Sequence, residues 1–82
     1  MEDAVNLATK LSLFSDYWSP KIIGEYNGND LMVVKVKGEF VWHSHPDTDD
    51  FFMVLKGRLT IRLRDRDVHL SEGDMYVVPK GI

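Results

Sequence analysis

The spacing of apolar positions along the chain changes once, and the change divides it. Up to residue 18, Ala4, Leu7, Ala8, Leu11, Phe14 and Trp18 recur at steps of three and four, placing one apolar stripe along a helix of about three turns. Asp3 is its candidate N-cap. Ser19-Pro20 ends it, because a residue before proline is pushed out of the α region. From Lys21 onward the period is two, which predicts strands over 21–26, 31–37, 40–45, 50–55, 59–64, 68–70 and 75–78. Asn27-Gly28-Asn29-Asp30, Gly38-Glu39, Pro46-Asp47-Thr48-Asp49-Asp50, Lys56-Gly57, Asp65-Arg66-Asp67 and Ser71-Glu72-Gly73-Asp74 supply the bends, Asn-Gly being the strongest short hairpin signal. About seven short strands with turns at this frequency read as a β-sandwich or barrel.

Alternation also assigns faces. With His43 and His45 inward, Val41 joins them, while Phe40, Trp42 and Ser44 look outward. With Asp50 inward, Phe52 and Val54 follow it, leaving Phe51, Met53 and Leu55 outside. Leu59, Ile61 and Leu63 share one face, with Thr60, Arg62 and Arg64 on the other. The outward row of Phe40, Trp42, Phe51, Met53 and Leu55 is too large to leave in water. One short helix is too small to cover it all, so a homodimer through this face is expected.

Composition narrows the picture. The 82 residues make at most one domain, with a helical lead-in over 1–19 and a barrel over 20–82. So short a chain buries about 60 to 65 % of its unfolded surface, and its core is thin. A net charge of −3 with mixed signs gives no electrostatic reason to expect nucleic acid or an anionic membrane as partner. With no cysteine there is no disulfide framework, thiolate chemistry or cysteine-type zinc site. No apolar run approaches the ~18 to 20 residues that span a bilayer. The acidic start, Met-Glu-Asp, where a secretory signal would be basic, points to the cytoplasm.

The candidate chemistry lies between Gly38 and Gly57. In an extended strand His43 and His45 project from one side about 7 Å apart, a spacing that lets two imidazoles share a metal ion. Asp50 returns a carboxylate towards them after the turn. The plainer alternatives are two polar side chains beside a turn, and a solvated aspartate beside Asp47 and Asp49. His69 alternates with Val68 and Leu70 and is expected in solvent. Arg58, Arg62, Arg64 and Arg66, interleaved with Asp65 and Asp67, read as a solvated hairpin face. Tyr76 and Trp42 are candidates for a pocket wall, with packing the simpler role. Ser44 faces away from its histidine neighbours, so a Ser-His-Asp triad is not supported. Imidazole and carboxylate suit Zn²⁺, Mn²⁺, Fe²⁺ or Ni²⁺ and leave positions for water or a substrate oxygen.

The stretch from Gly38 to Gly57, G-E-F-V-W-H-S-H-P-D-T-D-D-F-F-M-V-L-K-G, resembles the first motif of the cupin superfamily, and Gly73-Asp74-Met75-Tyr76-Val77-Val78-Pro79-Lys80-Gly81 resembles the start of its second. The departures are four residues between Gly38 and His43 where five are commoner, Asp50 in place of glutamate, and an end at Ile82 before the second motif's histidine. The resemblance implies an all-β fold: a small cupin-type barrel or jelly-roll-like double-stranded sandwich, with one short N-terminal helix and the closing C-terminal strands missing. Either the natural chain continues beyond Ile82 or another subunit supplies that pairing. It further implies a site of two histidines, a carboxylate and a third histidine, of which this chain supplies His43, His45 and Asp50. Two histidines and a carboxylate also form the facial arrangement of non-haem iron oxygenases. The implied function is a divalent transition metal and a small molecule bound in the barrel, with chemistry like a mannose-6-phosphate isomerase or a dioxygenase. The alternative is a non-catalytic ligand-binding or structural dimeric module with an incomplete, empty metal site, favoured by the lack of a recognisable general base. Enzyme and binder both stay open.

Overall fold

The structure is a computed structural model that describes residues 3–38 and 46–82. Its contacts gather into two compact units, 1–39 and 40–82, the first extending past the lead-in that the sequence set at 1–19.

In the first unit the helix is shorter than the apolar stripe suggests. Helix α1 spans Leu7–Leu11, and its N-cap is Asn6 rather than Asp3. The Asn6 side-chain oxygen accepts from the Thr9 backbone N–H at 2.9 Å, satisfying one of the donors that a helix start leaves unpaired. At the other end the Ser12 hydroxyl donates back to the Thr9 carbonyl at 2.6 Å, and the helix closes there. No residue of α1 is buried, so no core face propagates it towards Phe14 and Trp18.

Those two aromatics serve a different purpose. Lys35 Nζ stands 4.7 Å from the Phe14 ring centroid and Lys21 Nζ 5.5 Å, two cations over one ring. Trp18 sits at φ 58, an uncommon setting for a bulky residue. Its backbone N–H donates to the Lys35 carbonyl at 2.8 Å and its indole Nε1 to the Lys37 carbonyl at 3.0 Å. These bonds hold the strained residue in place.

Strand β1, Lys21–Tyr26, pairs antiparallel with β2, Asn29–Val33. Asn27 and Gly28 alone connect them, both at positive φ (50 and 77), as a two-residue hairpin of matching twist requires. The ladder slips between Ile22 and Gly24, a bulge that leaves Ile23 without a partner in register. The expected strand over 31–37 ends early because Lys21, opposite Val33, is preceded by Pro20, which has no N–H for a ladder.

The second unit contains two antiparallel pairs. β3, Asp50–Met53, pairs with β6, Met75–Val78; β4, Arg58–Arg62, pairs with β5, Asp67–Ser71. The expected strand over 40–45 lies outside the described residues. Val54, Ile61, Leu70 and Val78 form the buried cluster, with Phe52, Leu59, Leu63, Val68 and Tyr76 packed against it. Both pairs therefore turn one face inward, and those faces meet. The faces read from alternation are observed: Phe52 is half-buried and Val54 buried, while Phe51, Met53 and Leu55 are exposed. Gly73, at φ 86, lets the β5–β6 turn reach back to Val54, whose N–H donates to the Asp74 carbonyl and whose carbonyl accepts from the Gly73 N–H.

Two measurements check this account. Ile61, the most enclosed side chain at 1 % exposure, should lose about 2 to 5 kcal/mol of stability as Ile61→Ala, whereas Ile22→Ala, at 64 % exposure, should change it by no more than about 0.5 kcal/mol in urea unfolding. On the surface, Lys21 Nζ donates to Asp16 Oδ2 at 2.8 Å, and this bond holds the Asp16 carboxyl below its ordinary 3.8. A carboxyl lowered on folding stabilises above its unfolded pKa and loses that contribution as pH falls through the folded one. NMR titration should therefore find the Asp16 midpoint below 3.8, and Lys21→Met should return it.

Candidate functional site

Three aspartates precede or open β3, and the fold gives them different positions. Asp47 and Asp49 are exposed, whereas Asp50 is half-buried. Asp49 Oδ1 accepts from the Lys80 backbone N–H at 2.9 Å, clamping the start of β3 to the residues after β6. Asp50, one residue on, stands opposite Val78 and shares the inward parity of Phe52 and Val54. Of the three carboxylates, then, Asp50 carries its side chain on the core-facing side of the ladder. His43 and His45, and with them Val41, Ser44, Phe40 and Trp42, lie outside the described residues. Among the described residues no group of three His, Asp or Glu side chains could hold a metal ion.

The remaining candidates resolve into structural roles. His69 is exposed on β5, its Nδ1 3.1 Å from the hydroxyl of Thr60, the residue opposite it in the ladder. Tyr76 is half-buried opposite Phe52, and its hydroxyl accepts from Arg66 Nη2 at 3.1 Å. It therefore packs against the core at one end and is held by an arginine at the other. Arg58, Arg62, Arg64 and Arg66 are all exposed, the solvated hairpin face that their interleaving with aspartates suggests.

One carboxylate with a defined role escaped the sequence reading. Glu72 Oε1 accepts from the Gly57 N–H at 2.9 Å, tying the β5–β6 turn to the one before β4. No sequence signal marks it, since a single exposed glutamate in a turn is ordinary and the pairing spans the whole β4–β5 hairpin.

Two antiparallel strand pairs closed over a small apolar core define the second unit as a small all-β fold. The family follows from comparison. The profile of the cupin domain matches residues 30–82, and the chain belongs to that family. It is 38% identical over 60 residues to the uncharacterized protein YdbB of Bacillus subtilis, a match covering 72% of this chain. It spans 53% of that relative's length, about half. A crystal structure of a cupin-2 domain containing protein from Shewanella frigidimarina superposes with a TM-score of 0.92 at 50% identity, over 95% of this chain and 76% of the other. The all-β cupin fold expected from the sequence is thereby established. No described helix is long and apolar enough to cross a membrane.

The division of labour among the aspartates has a consequence for stability. Asp49→Ala removes the clamp on Lys80 and should cost about 0.5 to 1.5 kcal/mol in urea unfolding. Asp47→Ala, at an exposed position, should cost less than about 0.5 kcal/mol.

Proposed function

We propose that this cupin binds a divalent transition metal (zinc, manganese, iron or nickel) through His43, His45 and Asp50, together with a small molecule held in the barrel. The observation that carries the reading is Asp50 on the inward side of β3, five residues after the second histidine of the H-x-H motif. The donor set fits such an ion: two imidazoles and one carboxylate, with no thiolate to favour soft metals. When bound, the metal supplies Lewis acidity and open positions for an oxygen ligand. The chain's part is to fix the donors. Asp50 is held in register by its pairing with Val78, and Asp49 anchors the residue before it through Lys80. Phe52 and Tyr76, half-buried on the same inward side of the ladder as Asp50, favour a ligand with an apolar part.

Within this reading the protein is either an enzyme acting on a sugar phosphate or small organic acid, or a module that holds its ligand without turnover. The departure at Asp50, one methylene shorter than glutamate, bears on affinity rather than on metal type.

Metal analysis decides the first question. The purified chain should carry a divalent metal that a His43→Ala/His45→Ala double variant lacks, and Asp50→Asn should weaken binding at least about tenfold. His69→Ala should retain it. Equal metal in wild type and the double variant would remove the metal reading and leave a metal-free ligand-binding barrel. Incubating the loaded protein with sugar phosphates and small acids then separates enzyme from binder: turnover abolished by a chelator establishes the first.

A further inference from the structure

Every arginine of the chain stands between positions 58 and 66, in or beside the β4–β5 hairpin, while its other cations are lysines. Arg58 and Arg62 occupy outward positions of β4, since Leu59 and Ile61 between them turn to the core. Arg66 is placed differently. It lies in the turn between β4 and β5, where its carbonyl accepts from the Leu63 N–H at 2.8 Å, and its Nη2 donates to the Tyr76 hydroxyl at 3.1 Å. Tyr76 is an inward residue of β6, paired with Phe52 and two positions before Val78, which stands opposite Asp50. The turn thus brings a guanidinium to a side chain that shares the inward side of the ladder with Asp50. The path of the chain agrees. β5 runs from this turn to the β5–β6 turn, which reaches Val54 beyond the last residue of β3, so Arg66 is at the opposite end of β5 from that turn as Asp50 is at the opposite end of β3.

We propose that Arg66 and the Tyr76 hydroxyl form an oxyanion-binding corner of the ligand site, so that the small molecule held by this cupin carries a carboxylate or phosphate group. The inference rests on the small-molecule part of the function proposed above and not on the metal. Guanidinium presents a planar fork of N–H donors, and the bond to Tyr76 uses one of them. Among the described residues no carboxylate pairs with Arg66, although Asp65 and Asp67 flank it in sequence. The remaining donors match the paired oxygens of a carboxylate or phosphate. Because the tyrosine oxygen accepts from Arg66, its own proton is left to donate, and an oxyanion beside the pair receives N–H and O–H donors together. The Tyr76 ring packs against the buried cluster, which lowers the dielectric on one side of the corner and strengthens a charge-assisted bond there. Phe52 and Tyr76 then meet the apolar part of the ligand and Arg66 its charge. Sugar phosphates and small organic acids both carry such a group.

Benzoate and phenyl phosphate, with benzamide as the neutral counterpart of benzoate, test this by NMR titration of the protein as purified and after chelator treatment, which separates binding at Arg66 from binding to a metal. Both anions should bind the chelated wild type at least about tenfold more tightly than benzamide does, and should shift the Arg66 side-chain Nε–H. Arg66→Gln should lose at least about tenfold in affinity for the anions and none for benzamide, Arg66→Lys should recover only part of that loss, and Tyr76→Phe should lose about threefold. Arg58→Gln, which removes a charge from an outward position, should bind as wild type does. Equal affinity for benzoate and benzamide, anion binding unchanged in Arg66→Gln, an equal loss in Arg58→Gln, or no saturable shift with any probe up to about 20 mM overturns the proposal. The comparison of benzoate with benzamide on wild type needs no variant to fold. Metal content should be the same in Arg66→Gln as in wild type, so failure here leaves the metal reading standing, and anion binding that persists in the His43→Ala/His45→Ala variant survives the loss of the metal.

Discussion

Val54 joins the two strand pairs of the second unit. Its side chain lies in the buried cluster with Ile61, Leu70 and Val78, one from each of the other strands. Its backbone is engaged on both sides by the β5–β6 turn, accepting from Gly73 at 2.8 Å and donating to Asp74 at 3.0 Å. A two-stranded sheet is marginal in water by itself, and here each pair is completed by the apolar face of the other. The turn that reaches Val54 connects β5 of one pair to β6 of the other, so the bonds to Gly73 and Asp74 fix how one pair is placed over its partner pair. The 2.9 Å bond from Gly57 to Glu72 adds a second tie at the same end. At the opposite end Asp49 and Lys80 close the β3–β6 pair. The inward register of Asp50 depends on these constraints, because the fold offers only a small core to enforce it.

Much of this was legible in the residues. The bounds of β1 and β6 follow from alternation and turn chemistry, and the faces of β4 follow from alternation alone, because large apolar residues alternate there with polar ones; the faces of β3, apolar on both sides, followed only once Asp50 was set inward. The helix was overread for an equally physical reason. Ala4, Leu7, Ala8, Leu11, Phe14 and Trp18 satisfy helical spacing, but spacing reports only which residues could share a face, not whether anything packs on it. Asn6 and Ser12 bond locally to Thr9 at its two ends, and Phe14 is drawn towards Lys35 instead. The early end of β2 was similarly hidden, since it depends on what Pro20 and Trp18 do across the hairpin rather than on residues 34–37 themselves.

Of the candidate site, only Asp50 falls among the described residues. The H-x-H pattern followed by a carboxylate is read from residue type alone, and β3 carries Asp50 on the side where the sequence reading set it. What composition could not separate was the run of neighbouring aspartates. Asp49 and Asp50 have the same chemistry and differ by one position, yet Asp49 bonds the backbone after β6 while Asp50 turns to the core side. Only the pairing of β3 with β6 tells them apart.

That same pairing governs both faces of the ladder. Because side chains alternate with a period of two, the register that turns Asp50 and Phe52 inward obliges Phe51 and Met53 to turn outward. A slip of one residue would exchange the two sets, placing a phenylalanine where Asp50 now stands and a carboxylate in the apolar face. The core-side chemistry and the outward apolar block are thus not separately adjustable.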